Sequence, residues 1–226
     1  MAELSLAKLR RRAMRSIRRR FKLNERMDRP TKLYEFWRQP EPQGNRPQDY
    51  IRPVARSQVL LDLLGDLPPD ARILEVGCNV GRNLAFLYDH GYKLVEGVEI
   101  NPHAVALLRE TYPQLADVPV HIGPAEEVLP SLPADGFDVV YTMAVLEHIH
   151  PAHSVVFDEM VRVGRSILAI EPTGRKSHRQ YPHDIPKIFG DRGMRLVSSP
   201  RMADLLDTNR DTALATFFAY RFARPE

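Results

Sequence analysis

From residue 72 onward, short apolar segments alternate with helical patterns, and this alternation constrains the possible folds more than any other feature. We interpret seven segments as strands: 72–76, 93–99, 118–122, 137–142, 166–170, 194–198 and 213–222. The second strand leads into a helix with Asn101 as its N-cap and Pro102 in its first turn. Repeated β-α units imply a doubly wound, mostly parallel α/β sheet with helices on both faces.

The composition is consistent with one such domain. The chain has 226 residues, of which 43% are hydrophobic, so it can bury a core without disulfides or a structural metal. The single cysteine excludes an intramolecular disulfide and fits a reducing compartment, so we expect a cytoplasmic location. No apolar run approaches the roughly 20 residues of a membrane-spanning helix.

Charge is unevenly distributed along the chain. The formal net charge is +3, but residues 1–22 carry nine Lys/Arg and one acid, which makes this segment +8 and the remainder −5. At about 100° per residue, its larger apolar side chains fall on one helical face and most basic ones on the other. The apolar positions are Leu6, Leu9, Ala13, Ile17 and Phe21. We call residues 1–22 the basic arm.

Several roles are compatible with the basic arm. Its apolar stripe could pack on the chain's own domain. Such a helix can also lie on an anionic membrane surface or contact the phosphates of a polyanion. An Arg-rich, acid-poor segment is also compatible with a mitochondrial presequence, whereas the arginines interrupt any apolar region of a secretory signal. The sequence leaves these roles open.

Residues 23–56 are interpreted as a connector that leads into a domain at 57–226. The connector holds an aromatic cluster, Tyr34, Phe36 and Trp37, and its prolines between 38 and 53 are too dense for a regular helix or central strand. The domain is predicted to begin with a short apolar helix over 57–64 that ends at Gly65.

The chemistry of a doubly wound sheet is expected beyond the carboxyl ends of its strands. The first predicted strand is followed by Gly77 and Gly81, which allow a tight turn and close approach to a ligand. The next helix offers free N–H groups to a polar ligand. The G-x-x-x-G spacing differs from the G-x-G-x-x-G of nicotinamide-binding loops, and no G-x-x-x-x-G-K-S/T loop is present.

The segment Glu75-Val76-Gly77-Cys78-Asn79-Val80-Gly81 resembles motif I, E/D-x-G-x-G-x-G, of class I S-adenosylmethionine-dependent methyltransferases. Three further segments resemble family motifs in the expected order: the strand end at Glu99, the turn at 123–126, and the F-D-x-V…L-E-H segment at 137–149, which is typical of the ubiquinone-methylase type. The resemblance covers roughly residues 70–222. It implies a Rossmann-like methyltransferase fold with an N-terminal helical extension and S-adenosylmethionine as cofactor.

The resemblance also implies which positions contact the cofactor. Glu99 would hold the ribose hydroxyls, and Glu126 would lie near the exocyclic amine of adenine. The complete implied set is Glu75, Gly77, Cys78, Asn79, Gly81, Glu99, Ile100, Ala125, Glu126, Met143 and Ala144. Asn79 departs from the motif by replacing its middle glycine, although asparagine tolerates positive φ better than most residues.

His148 follows the fourth predicted strand and is the candidate catalytic residue. Methyl transfer needs a nucleophile aligned with the departing sulfur, and a base can assist at a hydroxyl. The alternative is that the imidazole braces its loop. His148, His150 and His153 form H-x-H-x-x-H, but Pro151 breaks the helical spacing and no thiolate lies nearby, so we expect no metal.

Two other segments bear on the acceptor. The basic segment 171–184 is expected to lie over the cofactor pocket, where it would suit an acidic or phosphorylated acceptor, unless it is simply a solvated loop. The fourth strand leads into Thr142-Met143-Ala144-Val145 rather than N/D-P-P-Y/F, which argues against amino methylation of bases or glutamine. The sole cysteine, Cys78, excludes two-cysteine C5 methylation, and we expect a small side chain that simply fits.

The leading hypothesis is methyl transfer to a small molecule, with a sugar, a lipid-linked compound or a quinone-type compound as acceptor and oxygen as one option for the acceptor atom. The string G-C-N-x-G-x-N-L also resembles a methylase subgroup associated with bacterial sugar and nonulosonic-acid pathways. Two alternatives are a non-catalytic cofactor-binding protein recruited through the basic arm, and an RNA or protein methyltransferase anchored by it. We expect contact of the arm with a membrane surface or polyanion, and no specific nucleic acid.

Overall fold

The structure, a computed structural model, describes residues 30–39, 46–52, 55–65, 67–174, 177, 179–206, 214 and 216–225. The basic arm lies outside the described residues, as does the beginning of the connector.

The described residues form one sheet of seven strands. The strands are β1 (Ile73–Val76), β2 (Val95–Glu99), β3 (Val120–Ile122), β4 (Phe137–Met143), β5 (Gly164–Pro172), β6 (Arg195–Ser198) and β7 (Phe217–Ala223). The α-helices that accompany them are α1 (Pro30–Arg38), α2 (Ala55–Leu64), α3 (Arg82–Asp89), α4 (Pro102–Thr111), α5 (Ala125–Val128), α6 (Val155–Val163), α7 (Ile185–Gly190) and α8 (Met202–Leu205).

The strand order is β3-β2-β1-β4-β5-β7-β6, and β7 alone runs antiparallel to its two neighbours in this sheet. The sheet therefore reverses direction of winding between β1 and β4, where a doubly wound fold binds its ligand. The prediction of a seven-stranded, mostly parallel sheet is confirmed. The last strand begins at Phe217, later than the sequence pattern indicates.

Two apolar layers cover the two faces of the sheet. Successive residues of β1 alternate between them, since Ile73 packs with α2 and α3 while Leu74 packs with α6. All four residues of β1 are buried, as expected of a central parallel strand. Polar ligand contacts are therefore confined to the strand ends and the turns that follow them.

The local signals for helix ends are confirmed at two positions. The Asn101 side chain accepts a hydrogen bond from the backbone N–H of His103, as an N-cap should. Gly65 follows the last residue of α2 with φ +64°, the left-handed conformation that ends many helices. Among the described residues, no helix combines the length and the apolarity needed to cross a bilayer.

Helix α1 lies within the segment that the sequence indicated only as a connector. Pro30 occupies its first turn, where the missing N–H costs nothing. Leu33 and Phe36 are one turn apart and buried, which docks the helix on the domain. Tyr34 and Trp37 are also one turn apart, on a neighbouring face, and both line the cavity described below.

Candidate active site

A cavity of about 370 Å³ opens beyond the carboxyl ends of β1, β2 and β4. One part of its wall comes from strand ends and the turns that follow them, namely residues 75–80, 82–83, 98–100, 123–126 and 143–144, and we call it the strand-end lining. The rest, which we call the cover lining, consists of Tyr34, Trp37, Tyr50, Arg56, Val145, Glu147, His148, Ile149, Leu214 and Phe217.

The structure brings the candidate site residues together with one exception. The residues that line this cavity are Glu75, Gly77, Cys78, Asn79, Glu99, Ile100, Ala125, Glu126, Met143, Ala144 and His148. The exception, Gly81, precedes α3 with φ +70°, and a Cβ added there would lie 2.4 Å from Leu108. Gly81 therefore serves the close packing of the loop against α4, and the structure does not place it on the cavity wall.

The loop after β1 has a backbone that few side chains tolerate. Gly77 has φ +80°, and an added Cβ would lie 2.5 Å from the Val145 side chain. Asn79, which replaces the middle glycine of the motif, has φ +49°. Asparagine is among the residues that adopt this left-handed conformation most readily, so the substitution preserves the loop's shape.

The Glu99 carboxylate joins the loops that follow β1 and β2. One oxygen accepts the backbone N–H of Asn79 at 2.7 Å, and the other accepts that of Asn101 at 2.8 Å. Burial raises the pKa of Glu99, and these backbone hydrogen bonds act in the opposite direction. The sequence predicted Glu99 as a ligand-binding acid, and the structure adds that it organises the loop.

Glu75 is a second buried acid on the same wall. One of its oxygens accepts a hydrogen bond from the Asn83 side-chain amide at 2.8 Å. Burial raises the pKa of Glu75 to about 7, although the Asn83 hydrogen bond and the positive charge of Arg82 oppose the shift. A cation bound in the cavity would further stabilise the ionised form.

Cys78 has a packing role in this loop. Its side chain is buried against Gly97 of β2, where an added Cβ would lie 2.7 Å from the sulfur. Burial raises the pKa of the thiol well above its ordinary value, so it stays protonated and unreactive. This is the role expected from the sequence, a small side chain that fits.

His148 lies in a single 3₁₀ turn, Leu146–His148, which follows β4. Its Nδ1 is 2.8 Å from the carbonyl oxygen of Arg179, so Nδ1 carries the proton and Nε2 keeps its lone pair. Burial lowers the pKa of His148 to about 4, which keeps the ring neutral at physiological pH. The Trp37 ring packs against it, with centroids 4.3 Å apart.

The described residues of the segment after β5 contact His148 and its turn without lining the cavity. The backbone N–H of Tyr181 donates to the carbonyl of Glu147 at 2.7 Å, and the Gln180 amide donates to the Glu147 carboxylate. Arg179 places its guanidinium 4.5 Å from the centre of the Phe36 ring of α1. Arg179, the one Lys or Arg of segment 171–184 that the structure describes, is therefore not on the cavity wall.

Glu126 lies between α1 and the histidine-rich turn. Its carboxylate is 3.0 Å from Nδ1 of His153. The Tyr34 ring packs edge-on against His153, with centroids 5.1 Å apart. Burial and the nearby Glu126 carboxylate both raise the pKa of Tyr34. Glu126 thus lines the cavity and also contacts the elements that cover it.

The three histidines of the H-x-H-x-x-H segment have separate partners. Nδ1 of His150 accepts the backbone N–H of Ala152 at 3.0 Å, whereas His153 contacts Glu126 and His148 contacts Arg179. In the part of the chain that the structure describes, His, Cys, Asp and Glu side chains nowhere gather in a group of three that could hold a metal ion.

Residues 74–167, which contain most of β1, all of β2 to β4, most of these loops and the start of β5, match the family model described as a methyltransferase domain. The chain carries a methyltransferase domain over these residues. It is also 31% identical over 122 residues to the 2-methyl-6-phytyl-1,4-hydroquinone methyltransferase of Synechocystis sp. (strain ATCC 27184 / PCC 6803 / Kazusa). That alignment covers 53% of this chain and 37% of the relative's length. The resemblance seen in the sequence motifs is confirmed.

Solved structures share the fold of the methyltransferase domain at low sequence identity. Magnesium protoporphyrin IX methyltransferase from Synechocystis PCC 6803 superimposes with a TM-score of 0.64 at 16% identity, over 87% of this chain and all of the other. The 4+2 cyclase SpnF superimposes with a TM-score of 0.62 at 12% identity, over 76% of this chain and 80% of the other. Since a cyclase shares the fold, the fold alone does not decide the reaction.

Most residues of the cover lining were not predicted from the sequence as site residues. Tyr34 and Trp37 were noted only as an aromatic cluster, although their spacing of three residues is a helical signal. Arg56, Leu214 and Phe217 carry no local signal that points to a cavity. These residues reach the site through the packing of elements that are distant in sequence.

Proposed function

We propose that this protein is an S-adenosylmethionine-dependent methyltransferase whose acceptor is a small molecule with an apolar or aromatic body, of the quinone or lipid-linked kind. The observation that carries the proposal is the pairing, in one cavity, of a motif I loop with an apolar and aromatic wall beside a neutral histidine. A sugar acceptor is less well supported by that wall.

The strand-end lining fits S-adenosylmethionine. Gly77 leaves a space that a Cβ would fill, and the Glu99 carboxylate is held beside it by backbone hydrogen bonds. Glu75 supplies a buried acid for a cationic ligand. The residues that would hold the cofactor are Glu75, Gly77, Cys78, Asn79, Glu99, Ile100, Ala125, Glu126, Met143 and Ala144. When bound, the cofactor supplies a methyl group on a positively charged sulfur.

The cover lining supports an acceptor with an apolar body. Trp37, Val145, Ile149, Leu214 and Phe217 present aromatic and aliphatic surface to the cavity. Such walls bind the apolar part of a ligand, while a few polar groups set its orientation. The hydroquinone methyltransferase that resembles this chain has a substrate of this kind by name, which adds support.

His148 is proposed to orient the acceptor and take its proton. Because Nδ1 is committed to the Arg179 carbonyl, Nε2 is the atom that can accept a hydrogen bond from an acceptor hydroxyl. With its pKa near 4, the ring is a weak base, so its first contribution is to position the acceptor oxygen for in-line attack. The apolar wall excludes water from that contact.

The test is a pair of measurements on the full chain. Calorimetry with S-adenosylhomocysteine tests cofactor binding, and isotopically labelled S-adenosylmethionine tests transfer to matched panels of hydroquinones and sugars. We expect binding, and transfer to hydroquinones that exceeds transfer to sugars. Absence of binding would contradict the proposal, whereas binding without transfer to any acceptor would favour the non-catalytic alternative.

The basic arm is proposed to bring the protein to an anionic membrane surface, where lipid-linked acceptors reside. Its +8 charge and apolar stripe are the features that support this role. The full chain should sediment with vesicles of anionic phospholipid at low salt, and a chain lacking residues 1–22 should not. Equal binding of both chains would contradict this role.

A further inference from the structure

Glu171 is a buried acid that lies outside the cavity but contacts the turn that carries His148. It is the penultimate residue of β5, is 1% exposed and is absent from both linings. One carboxylate oxygen accepts the backbone N–H of Val145 at 3.1 Å, and the other accepts that of Glu147 at 3.4 Å. The carboxylate therefore bridges the beginning of the turn.

The turn needs such a partner because its own sequence does not provide one. The first N–H groups of a helical turn have no acceptor within the turn, and a capping side chain usually supplies it. Here Val145 stands at the cap position and makes no side-chain capping contact. Ala144, just before it, has φ +60°, a conformation that an alanine adopts only when its surroundings enforce it.

The same turn sets two features of the site. Val145 packs over Gly77, where an added Cβ would lie 2.5 Å away. Two and three residues further along, Glu147 and His148 line the cavity. A change in the turn would therefore move His148 relative to the acceptor.

The acid at this position supplies acceptors for the turn that an apolar side chain could not supply. Burying a carboxylate carries a cost that an apolar side chain would avoid. Burial raises the pKa of Glu171 to about 7, and hydrogen bonds from backbone N–H groups of the turn partly offset that shift. The arrangement resembles an N-cap that a neighbouring strand supplies, with its acid at the positive end of the turn.

We propose that Glu171 is a positioning residue, which caps the 146–148 turn from β5 and thereby holds Nε2 of His148 in place for the acceptor. This inference rests on the proposed methyl transfer and on the role of His148 in it. Glu171 itself would not contact the substrate, because it does not line the cavity.

The test is a double-mutant cycle with Glu171→Gln and His148→Gln in the full chain, assayed with labelled S-adenosylmethionine and the best hydroquinone of the panel. Glu171→Gln keeps the shape but replaces one acceptor oxygen with an amide that cannot accept. We expect kcat to fall about tenfold or more, but by no more than the roughly 10²–10⁴-fold that a positioned base contributes. Affinity for S-adenosylhomocysteine should stay within about twofold, because Glu171 does not line the cavity.

In the His148→Gln background, Glu171→Gln should lower kcat by less than about twofold. The effects of two substitutions are not additive when one residue acts through the other. An equal loss in both backgrounds would overturn the proposal. Glu159→Gln, which removes an acid paired with Arg162 on α6, is the matched control and should leave kcat unchanged.

A second readout does not depend on turnover. In ¹⁵N-histidine spectra, the His148 signal, identified by its loss in His148→Gln, should show the Nδ1-protonated tautomer in the unaltered chain and a mixture in Glu171→Gln. An unchanged signal would contradict the proposal, even if no acceptor were methylated. Should Glu171→Gln fail to fold, Glu171→Asp, which keeps the charge and shortens the reach, replaces it in both measurements with the same expected directions.

Discussion

The strand-end lining and the cover lining of the cavity are built in different ways. The strand-end lining uses turns between residues 75 and 144, where backbone N–H groups, glycines and buried acids form the wall. The cover lining uses side chains from Tyr34 to Phe217, on elements that meet only in the folded molecule. Under the proposed function, local turn geometry would form the cofactor site, whereas acceptor choice would depend on the elements packed around it.

The largest expected effect is on the strand-end lining. Gly77→Val should weaken S-adenosylhomocysteine binding by at least about 3 kcal/mol, because positive φ and the contact with Val145 both oppose a side chain. Calorimetry measures the affinity, and circular dichroism checks the fold. Gly91→Val is the control, since Gly91 has φ +101° but nothing within 4 Å of an added Cβ. Retained affinity in Gly77→Val would contradict the proposal that this loop binds the cofactor.

A smaller effect is expected when the acid between the two loops is removed. Glu99→Ala should weaken cofactor binding by about 1–3 kcal/mol, the scale for losing hydrogen bonds to a charged group. Glu96→Ala, on the same strand but paired with His121, should change the affinity little. Equal losses in the two variants would mean that Glu99 acts only by stabilising the sheet.

The affinity for S-adenosylmethionine, whose sulfur is positively charged, should depend on pH through Glu75. With its pKa near 7, the acid is protonated below that pH in the free protein, and a cationic ligand favours the ionised form. Affinity should therefore rise with pH up to about 7, by at most about tenfold per unit, and binding at pH 6 should release a proton. Calorimetry in two buffers of different ionisation enthalpy measures this release. Glu75→Gln should abolish it, and an unchanged release would reassign it to another group.

The smallest effect is a spectroscopic one in the cover lining. Trp37 is the single tryptophan of the chain and lies against His148, so its fluorescence reports on this wall alone. Binding of a hydroquinone to the complex with S-adenosylhomocysteine should change the emission, and Trp37→Phe should raise the KM for the acceptor while leaving cofactor affinity within about twofold. Trp37 emission that responds to the cofactor but never to an acceptor would contradict the proposal that the cover lining binds the acceptor and the strand-end lining binds the cofactor.

Much of the strand-end lining could be predicted from the sequence. Gly77 was recognised because a tight turn after a strand favours glycine. Asn79 and Glu99 were recognised through the resemblance to the family motifs. Whether they bind the cofactor remains a prediction for the experiments above. Gly81 shows the limit of such reasoning, because the motif that contains it does not tell whether a glycine faces a ligand or a neighbouring helix.

The cover lining could not be predicted in the same way. Trp37 reaches His148 because Leu33 and Phe36 dock α1 on the domain, and no spacing in the sequence relates residue 37 to residue 148. The role of Glu171 could not be predicted from the sequence either, because it depends on β4 and β5 being neighbours in the sheet. Contacts of this kind arise from packing rather than from a local pattern.

By itself, the sequence determined the alternation of strands and helices, the parallel sheet and the turns at its carboxyl edge, because periodicity and backbone sterics act over a few residues. The tertiary structure alone decided which helix covers the cavity, which nitrogen of His148 is available and which acid caps its turn. Those features depend on burial and on hydrogen bonds between segments far apart in the chain. Their energies exist only once the segments have been brought together.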